Sequence, residues 1–270
     1  MKLAYYIKKE SLKGEQRVEK LLNGLDSAGM FVYELSSEDE LQADTDIILS
    51  LGGDGTFLSA AHIAAMRNIP VMGVHFGRLG FLSEYSPEQV LDALVEGSYT
   101  VEERALLEVR PDCEMPKDWD PIALNECCVS RQRASMLGVD VAVNGRSIPT
   151  YWADGLIVAT STGSTAYSLS VGGPICTPDT SLLIIAPVSP HNLNLRPLIV
   201  PRDSEIEIVP HSREGMITLS LDNRSYQIPE GVAIHIGPSQ YVLKRLCCGS
   251  SNFFDALRSR LLWGADIRNN

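Results

Sequence analysis

One acidic residue, Asp54, lies inside a glycine-rich turn. The turn belongs to DTDIILSLGGDGTFLSAAHIAAM, residues 44–66, and separates an apolar run from a helix-like pattern. Gly53 and Gly55 let backbone N–H groups approach an anion, which the positive end of a helix also favours. A carboxylate repels phosphate, so Asp54 needs another partner: a hydroxyl whose proton it takes, or a metal that bridges to phosphates. The turn therefore predicts phosphoryl transfer to an alcohol; the alternative is a tight turn in which Asp54 caps its helix.

A second glycine-bearing turn, GVHFGRLGFLSEY, follows the next apolar run. Because ligands bind beyond the carboxyl ends of parallel strands, we expect it at the same sheet edge. Gly77 and Gly80 give backbone access there. Arg78 offers a cation for a phosphate, and Phe81 offers a flat face for a base, although a core position is the alternative for Phe81.

Two later segments place polar groups in apolar surroundings. Asn125 and Glu126 are neighbours in LNECCVSR, an otherwise apolar strand pattern. Buried polar groups cost free energy unless they are hydrogen-bonded, and a ribose diol is a suitable partner. The segment DGLIVATSTGSTAYSLSVGGP, residues 154–174, adds an acid, a run of hydroxyl side chains and Tyr167. These groups either line a nucleotide or form an ordered loop that caps a short helix.

The elements that must position these residues alternate between strand and helix patterns over about the first 97 residues. The strand patterns are KLAYYI, MFVYEL, DIILSL and VMGVHF. Ser86 and Pro87 are typical of the start of a helix, as N-cap and first helical residue. This alternation predicts a doubly wound, Rossmann-like parallel sheet.

From about residue 100 the pattern changes to short strands with turn residues between them, which predicts an all-β sandwich. Asn144 and Gly145 indicate a hairpin, and the final NFFDALRSRLLWG is helical and expected to pack back on the first domain. We therefore expect an α/β domain over 1–99 that carries GGDG, a β-sandwich domain over 100–249 that carries NE and GSTAY, and a returning helix over 250–270.

The composition argues against several classes of protein. A net charge of −11 and a pI of about 4.9 disfavour a nucleic-acid partner. The apolar runs are too short for a membrane-spanning helix, and no signal peptide is visible. The 6 cysteines show neither zinc-ligand spacing nor a secreted disulfide pattern. We therefore expect a cytoplasmic protein with reduced thiols.

Together, and in this order, the motifs resemble the NAD kinase family over most of the chain. The matching blocks are GGDGT at 52–56, GRLGFL at 77–82, NE at 125–126, DGLIVATSTGSTAYSLSVGGP from 154, HNLNLRPLIV at 191–200 and LRSRLLWG near the C-terminus. GGDG alone is shared with diacylglycerol and sphingosine kinases. A lipid kinase therefore stays an alternative, as does a non-catalytic dinucleotide sensor.

The resemblance implies a phosphotransferase that moves the γ-phosphoryl of ATP, or inorganic polyphosphate in some members, to the adenosine 2′-hydroxyl of NAD, giving NADP. It also implies Mg²⁺ or another divalent cation, and a homo-oligomer, either a dimer or a tetramer. The expected partners are thus small-molecule substrates and further copies of the chain, with no nucleic acid and no membrane.

The resemblance also implies roles for single residues. Asp54 would take the 2′-hydroxyl proton, Asn125 and Glu126 would hold a ribose, and Asp154 would approach the nicotinamide side, in the family often from a neighbouring subunit. The expected binding residues are Gly53, Gly55, Arg78, Phe81, Asn125, Glu126, Asp154, Thr162, Thr165, Ala166, Tyr167, Ser168, Ser170 and Arg224.

This chain departs from the family pattern at three places within or near these motifs. Ser161 replaces the proline of TPTGSTAY, and Trp152 stands where some members carry a basic residue. Asp222, Asn223 and Arg224 replace the common DGQ.

Overall fold

The computed structural model of the chain describes residues 1–77, 79–249 and 253–263. The strands in chain order are β1 Lys2–Ile7, β2 Phe31–Glu34, β3 Ile47–Leu51, β4 Val71–Val74, β5 Tyr99–Pro111, β6 Ile122–Ala123, β7 Glu126–Ser130, β8 Leu137–Val143, β9 Arg146–Ala153, β10 Gly155–Thr160, β11 Leu182–Val188, β12 Leu198–Pro201, β13 Ile206–His211, β14 Met216–Leu221, β15 Arg224–Pro229 and β16 Ile234–Cys248.

The α-helices are fewer. They are α1 Gln16–Ser27, α2 Asp54–Ala65, α3 Pro87–Glu96, α4 Tyr167–Ser170 and α5 Phe253–Leu261. Short 3₁₀ helices cover Glu10–Leu12, Glu38–Glu40 and Thr162–Thr165. None of the helices in the described ranges is long and apolar enough to cross a membrane.

The chain divides into two compact units. Unit 1 comprises Met1–Glu103 and the chain from Leu243 onward, and unit 2 comprises Arg104–Val242. The two boundaries fall inside strands β5 and β16, so a long strand carries the chain from one unit into the other.

Unit 1 contains the predicted Rossmann-like sheet. Its parallel strands follow the order β2-β1-β3-β4, and Arg245 of β16 pairs in parallel with Val71 of β4. Helices α1 and α3 pack with the apolar residues on one face of this sheet. Helix α2 contacts β3, β4 and β1, and its Phe57 lies beside Gly73 on the other face. The doubly wound α/β prediction is therefore confirmed.

Helix α3 begins as its sequence predicts. The Ser86 side chain accepts a hydrogen bond from the Gln89 backbone at 3.3 Å, and the Gln89 side chain accepts one from the Ser86 backbone at 2.9 Å. Pro87 occupies the first turn, and Gly97 ends the helix at a φ of +67°. This reciprocal capping satisfies two backbone donors that the first turn leaves unpaired.

Unit 2 is a sandwich of two antiparallel sheets. One sheet has the order β12-β11-β10-β7-β14-β15, and the other contains β16, β13, β8 and β9. Its main apolar cluster takes alternate residues from both sheets, such as Leu156 and Val158 of β10. Asn144 and Gly145 adopt φ values of +50° and +71° between β8 and β9, as the hairpin prediction requires. The β-sandwich prediction is confirmed.

The C-terminal helix returns to unit 1. In α5, Ala256 and Leu257 are buried, and the Phe253 ring lies 6.4 Å from the ring of Phe81. This contact confirms that the last helix packs on the α/β part of the chain.

Candidate functional site

The Asp54 carboxylate is held by a loop that is distant in the chain. Its Oδ2 accepts the Phe81 N–H at 2.7 Å, and its Oδ1 accepts the N–H groups of Leu82 and Ser83 at 2.9 and 3.0 Å. We call this arrangement the Asp54 clamp. Asp54 is the first residue of α2, with Gly53 as N-cap. The side chain therefore joins the GGDG turn to the second glycine turn. Its bonds go to this loop and not to the backbone of α2, so the alternative that Asp54 caps its own helix is wrong.

Two glycines make this close approach possible. A Cβ on Gly80 would lie 1.9 Å from Asp54 Oδ1, and a Cβ on Gly73 would lie 2.5 Å from the Leu82 carbonyl oxygen. Both distances are shorter than any van der Waals contact, so a side chain at either position would displace the loop. By contrast, a Cβ on Gly53 or Gly55 would meet nothing within 4 Å, so the space beside these two residues is open.

A cation lies beside the Asp54 clamp. The Arg260 guanidinium stacks 4.3 Å above the centre of the Phe81 ring, so one face of this predicted base platform is already covered. Burial lowers the pKa of the Arg260 guanidinium, and the charges of Asp54 and Glu84 oppose that shift. Arg260 therefore offsets part of the negative charge at the clamp. Arg78, the cation predicted for this loop, lies outside the described residues.

In unit 2 a second aspartate holds the NE pair. Asp222 Oδ2 accepts the Leu124 N–H at 2.8 Å, and Oδ1 accepts those of Asn125 and Glu126 at 2.8 and 3.1 Å. We call this arrangement the Asp222 clamp. The Asp222 N–H returns a bond to the Glu126 carbonyl at 3.0 Å. Asp222 itself has a φ of +51°, a conformation that Asp and Asn tolerate better than other residues with a side chain.

The NE pair is also bonded to the start of the GSTAY segment. Thr160 Oγ1 donates to the Leu124 carbonyl at 2.6 Å, and the Thr160 N–H donates to the Asn125 carbonyl at 2.8 Å. Thr160 Oγ1 in turn accepts the Gly163 N–H at 3.1 Å. A Cβ on Gly163 would lie 2.2 Å from the Asn125 carbonyl oxygen, so this contact needs glycine. The structure thus brings these two predicted motifs together.

Glu126 is a buried acid without a full set of partners. The residue is 8% exposed, and its Oε2 is buried with no hydrogen-bonding partner among the described residues. Burial, and then the charge of Asp222, raise the pKa of Glu126 to about 8, while the Tyr167 backbone N–H acts in the opposite direction. Near neutral pH this carboxyl is therefore mostly protonated in the absence of a ligand.

The remaining predicted residues of the GSTAY segment surround a short 3₁₀ turn and α4. Thr162 and Ser168 are buried, Thr165 and Ala166 are half-buried, and Tyr167 and Ser170 are exposed. Within the part of the chain that the structure describes, the buried Ser168 hydroxyl has no hydrogen-bonding partner.

Asp154 lies at the start of β10, whereas Thr160 and the NE pair lie at its other end. Its carboxylate pairs with Arg131 Nε at 2.7 Å. Burial first, and then Cys128, Asp154 and Glu126, raise the pKa of Tyr167. Tyr167 is therefore electrostatically linked to Asp154 as well as to the NE pair.

Arg224 has partners inside its own unit. Its Nη1 lies 2.6 Å from Asp120 Oδ2 and donates to the Asp120 carbonyl at 3.0 Å, and its Nη2 donates to the Ile122 carbonyl. These bonds hold the chain just before the NE pair. The predicted contact of Arg224 with a ligand stays a prediction.

Several supporting residues were not singled out as site residues from the sequence: Gly73, Asp222, Thr160, Gly163 and Arg260. Thr160, Gly163 and Arg260 lie within motifs that carry the family resemblance, whereas Asp222 lies in a stretch that departs from the family pattern.

Comparison with known proteins gives the class and then the family. The structure aligns with that of yeast NADH kinase complexed with NADH at a TM-score of 0.84, with 23% identity over 100% of this chain and 90% of the other. It aligns with an NAD kinase from Archaeoglobus fulgidus, in complex with ATP, at a TM-score of 0.78, with 26% identity over 96% of this chain and 99% of the other. The fold is therefore that of a class of nucleotide-phosphorylating kinases.

Sequence comparison narrows this class. The ATP-NAD kinase N-terminal domain matches residues 6–99, and the ATP-NAD kinase C-terminal domain matches residues 124–246. An NAD kinase of Bacteroides fragilis is 42% identical over 85% of this chain and 80% of its own length. One from Cytophaga hutchinsonii is 36% identical over 99% and 93%. The chain belongs to the NAD kinase family. It is an enzyme that phosphorylates NAD to NADP with ATP, and the lipid-kinase and sensor alternatives are not supported.

Proposed function

We propose that Asp54 is the general base of this reaction and accepts the proton of the adenosine 2′-hydroxyl of NAD. The observation that carries the proposal is the Asp54 clamp. An ionised carboxylate has roughly four acceptor positions, and the clamp occupies three of them. The position that remains is on Oδ2, and the chain neighbours of Asp54, Gly53 and Gly55, have open space beside them.

A firmly hydrogen-bonded carboxylate suits this role. Phosphoryl transfer passes through a loose transition state, in which the attacking hydroxyl keeps its proton until late. Catalysis then depends more on holding the hydroxyl in line with the γ-phosphoryl group than on removing the proton early. The Asp54 clamp provides that orientation.

The test is an assay with Mg²⁺-ATP and NAD, in which an NADP-specific dehydrogenase reports the product. We expect Asp54→Asn to lower turnover by about 10²- to 10⁴-fold, as the loss of a general base commonly does. NAD affinity, measured by calorimetry, should change much less. Near-normal turnover in this variant would refute the assignment. Replacing ATP by polyphosphate, or NAD by NADH, in the same assay defines the donor and the acceptor.

We also propose that Asn125 and Glu126 hold a ribose of NAD. Asn125 is 8% exposed and is the chain neighbour of Glu126, whose Oε2 has no hydrogen-bonding partner among the described residues, so a ribose hydroxyl would satisfy that atom. We expect Asn125→Ala to raise KM for NAD by about tenfold with kcat nearly unchanged, because the ribose contact exists in ground and transition states alike. A large fall in kcat at unchanged KM would contradict this role.

The other predicted binding residues complete the proposal. Beyond those argued above they are Gly53, Gly55, Arg78, Phe81, Asp154, Thr162, Thr165, Ala166, Tyr167, Ser168, Ser170 and Arg224.

We propose Mg²⁺, or another divalent cation, as the cofactor, bound mainly through the phosphates of ATP. The described residues contain no group of three or more His, Cys, Asp or Glu side chains suited to a metal. Mg²⁺ commonly binds substrate phosphates and only one or two carboxylates, so the chain is compatible with it. The ion would neutralise charge on the phosphates. Omission of the divalent cation from the assay should abolish NADP formation.

We propose that the active form is a homo-oligomer, a dimer or a tetramer. The family resemblance motivates this proposal, and the exposed apolar side chains Trp152, Leu193 and Ile199 of unit 2 are candidates for the contact between copies. Light scattering on the active enzyme tests this, and a fully active monomer would refute it.

The 6 cysteines are free thiols, which supports the proposed cytoplasmic location.

A further inference from the structure

Asp222 is placed to control the NE pair without being part of it. It lies in the two-residue turn between β14 and β15. The three residues that it binds precede it in the chain by 98, 97 and 96 positions. Its carboxylate accepts three consecutive N–H groups, from Leu124, Asn125 and Glu126. An amide or hydroxyl side chain at this position cannot accept as many bonds.

The surroundings of Glu126 place a second negative charge beside a buried acid. The titratable groups that act on it or respond to it are the carboxylate of Asp222, the phenol of Tyr167 and the thiols of Cys127 and Cys128. None of them is a cation. The single opposing contribution is the backbone N–H of Tyr167. Asp222 Oδ1 lies 3.1 Å from the Glu126 backbone nitrogen, and a neighbouring negative charge disfavours ionisation of a second carboxyl group.

We propose that Asp222 is a positioning residue of the NAD site, which fixes the Leu124–Glu126 backbone and keeps Glu126 protonated until ribose hydroxyls bind. This inference rests on the proposed ribose contact of Glu126. Ribose hydroxyls donate hydrogen bonds, and the ionised carboxylate accepts them better than the neutral acid does. NAD binding therefore shifts Glu126 to its charged form, and the proton passes to the solvent buffer.

The number of protons released when NAD binds tests this coupling. Calorimetry of the intact enzyme with NAD, at pH 7 in two buffers of different ionisation enthalpy, measures that number. With the pKa of free Glu126 at about 8, about 0.9 proton should leave per NAD bound if the carboxyl is fully ionised in the complex. We expect Glu126→Gln to release almost none.

The role of Asp222 is tested by Asp222→Asn in the same experiment. We expect less proton release than in the wild type, and KM for NAD about tenfold higher with kcat within about threefold of the wild type. A purely structural residue would lower kcat and stability without changing proton release. Asp222→Ser provides the same test if the asparagine variant does not fold. Asp140→Asn, which removes an exposed carboxylate elsewhere in unit 2, should behave like the wild type.

Three results would overturn the proposal. They are a wild-type enzyme that binds NAD without releasing protons, a Glu126→Gln variant that releases as many as the wild type, and a folded Asp222→Asn variant with wild-type release. Each can occur in an enzyme that still converts NAD to NADP. A failure of the proposed function would instead appear in the coupled assay, as normal turnover in Asp54→Asn or as normal KM for NAD in Asn125→Ala.

Discussion

The two units use the same device for different purposes. In each, an aspartate carboxylate accepts three consecutive backbone N–H groups from a segment that carries a predicted binding motif: Asp54 from Phe81–Ser83 and Asp222 from Leu124–Glu126. Asp54 begins a helix whose positive end favours its charge. Asp222 occupies a β-turn next to a second, buried acid.

The difference lies in which group does the chemistry. In the Asp54 clamp the anchoring carboxylate is also the proposed base, so position and reactivity belong to one side chain. In the Asp222 clamp the anchor is separate from Glu126, the group proposed to contact the ribose. Changes near Asp54 should therefore act mainly on turnover, and changes near Asp222 mainly on NAD binding.

Among changes that leave both aspartates in place, the largest effect is expected where a methyl group displaces Asp54. In Gly80→Ala the added Cβ would lie 1.9 Å from Asp54 Oδ1. We expect turnover to fall by about 100-fold and stability by about 1–3 kcal/mol, measured by the coupled assay and by denaturant unfolding. Gly77→Ala is the matched control, because its Cβ would meet nothing within 4 Å. Equal turnover in the two variants would show that the position of the carboxylate is unimportant.

A second prediction concerns stability as a function of pH. Since the pKa of Glu126 is raised from 4.5 to about 8 in the folded protein, the folded state binds the proton more tightly than the unfolded state. The stabilisation that the folded protein gains from this tighter proton binding is fully present below pH 4.5 and is lost as the pH rises to about 8.

We therefore expect Glu126→Gln to gain stability relative to the wild type as the pH rises, by about 3 kcal/mol between pH 4.5 and 7. Denaturant unfolding of both proteins across this range measures the difference. Glu205→Gln, at an exposed carboxylate, is the control. A difference that does not vary with pH would mean that Asp222 and burial do not hold the proton on Glu126.

The smallest effect is expected at the contact between the NE pair and the GSTAY segment. In Gly163→Ala the added Cβ would lie 2.2 Å from the Asn125 carbonyl oxygen. We expect KM for NAD to rise by about tenfold with kcat within a few-fold of the wild type. Gly237→Ala, whose Cβ would meet nothing within 4 Å, is the control. A collapse of kcat like that expected for Gly80→Ala would remove the distinction between the two clamps.

Much of the fold could be predicted from local patterns. The strands β1 to β4, the capping of α3 by Ser86 and Pro87, and the Asn144–Gly145 hairpin follow from periodicity and turn residues, whose physical causes act over a few neighbours. The motifs GGDG, NE and GSTAY also indicated the candidate site residues. In each case the information lies within a short stretch of chain.

The contacts that organise the candidate site could not be predicted in the same way. The GGDG turn showed an acid that needed a partner, but not that three amides of Phe81–Ser83 would supply it. Gly80 is a typical turn residue in the sequence, but the structure shows that this position needs glycine because Asp54 lies so close to it. Arg260 is one of several basic residues in the sequence, and only the packing of α5 places it over the Phe81 ring.

The sequence by itself determined the kinds of group available: one acid in a glycine turn, an acid and an amide in an apolar strand, and a hydroxyl-rich segment further along the chain. Only the tertiary structure decided that Asp222 would hold the NE pair and raise the pKa of Glu126 to about 8. The physical reason is that hydrogen bonds and desolvation depend on atoms within a few ångströms, whatever their separation along the chain. Strand pairing in unit 2 brings together residues that are 96 to 98 positions apart.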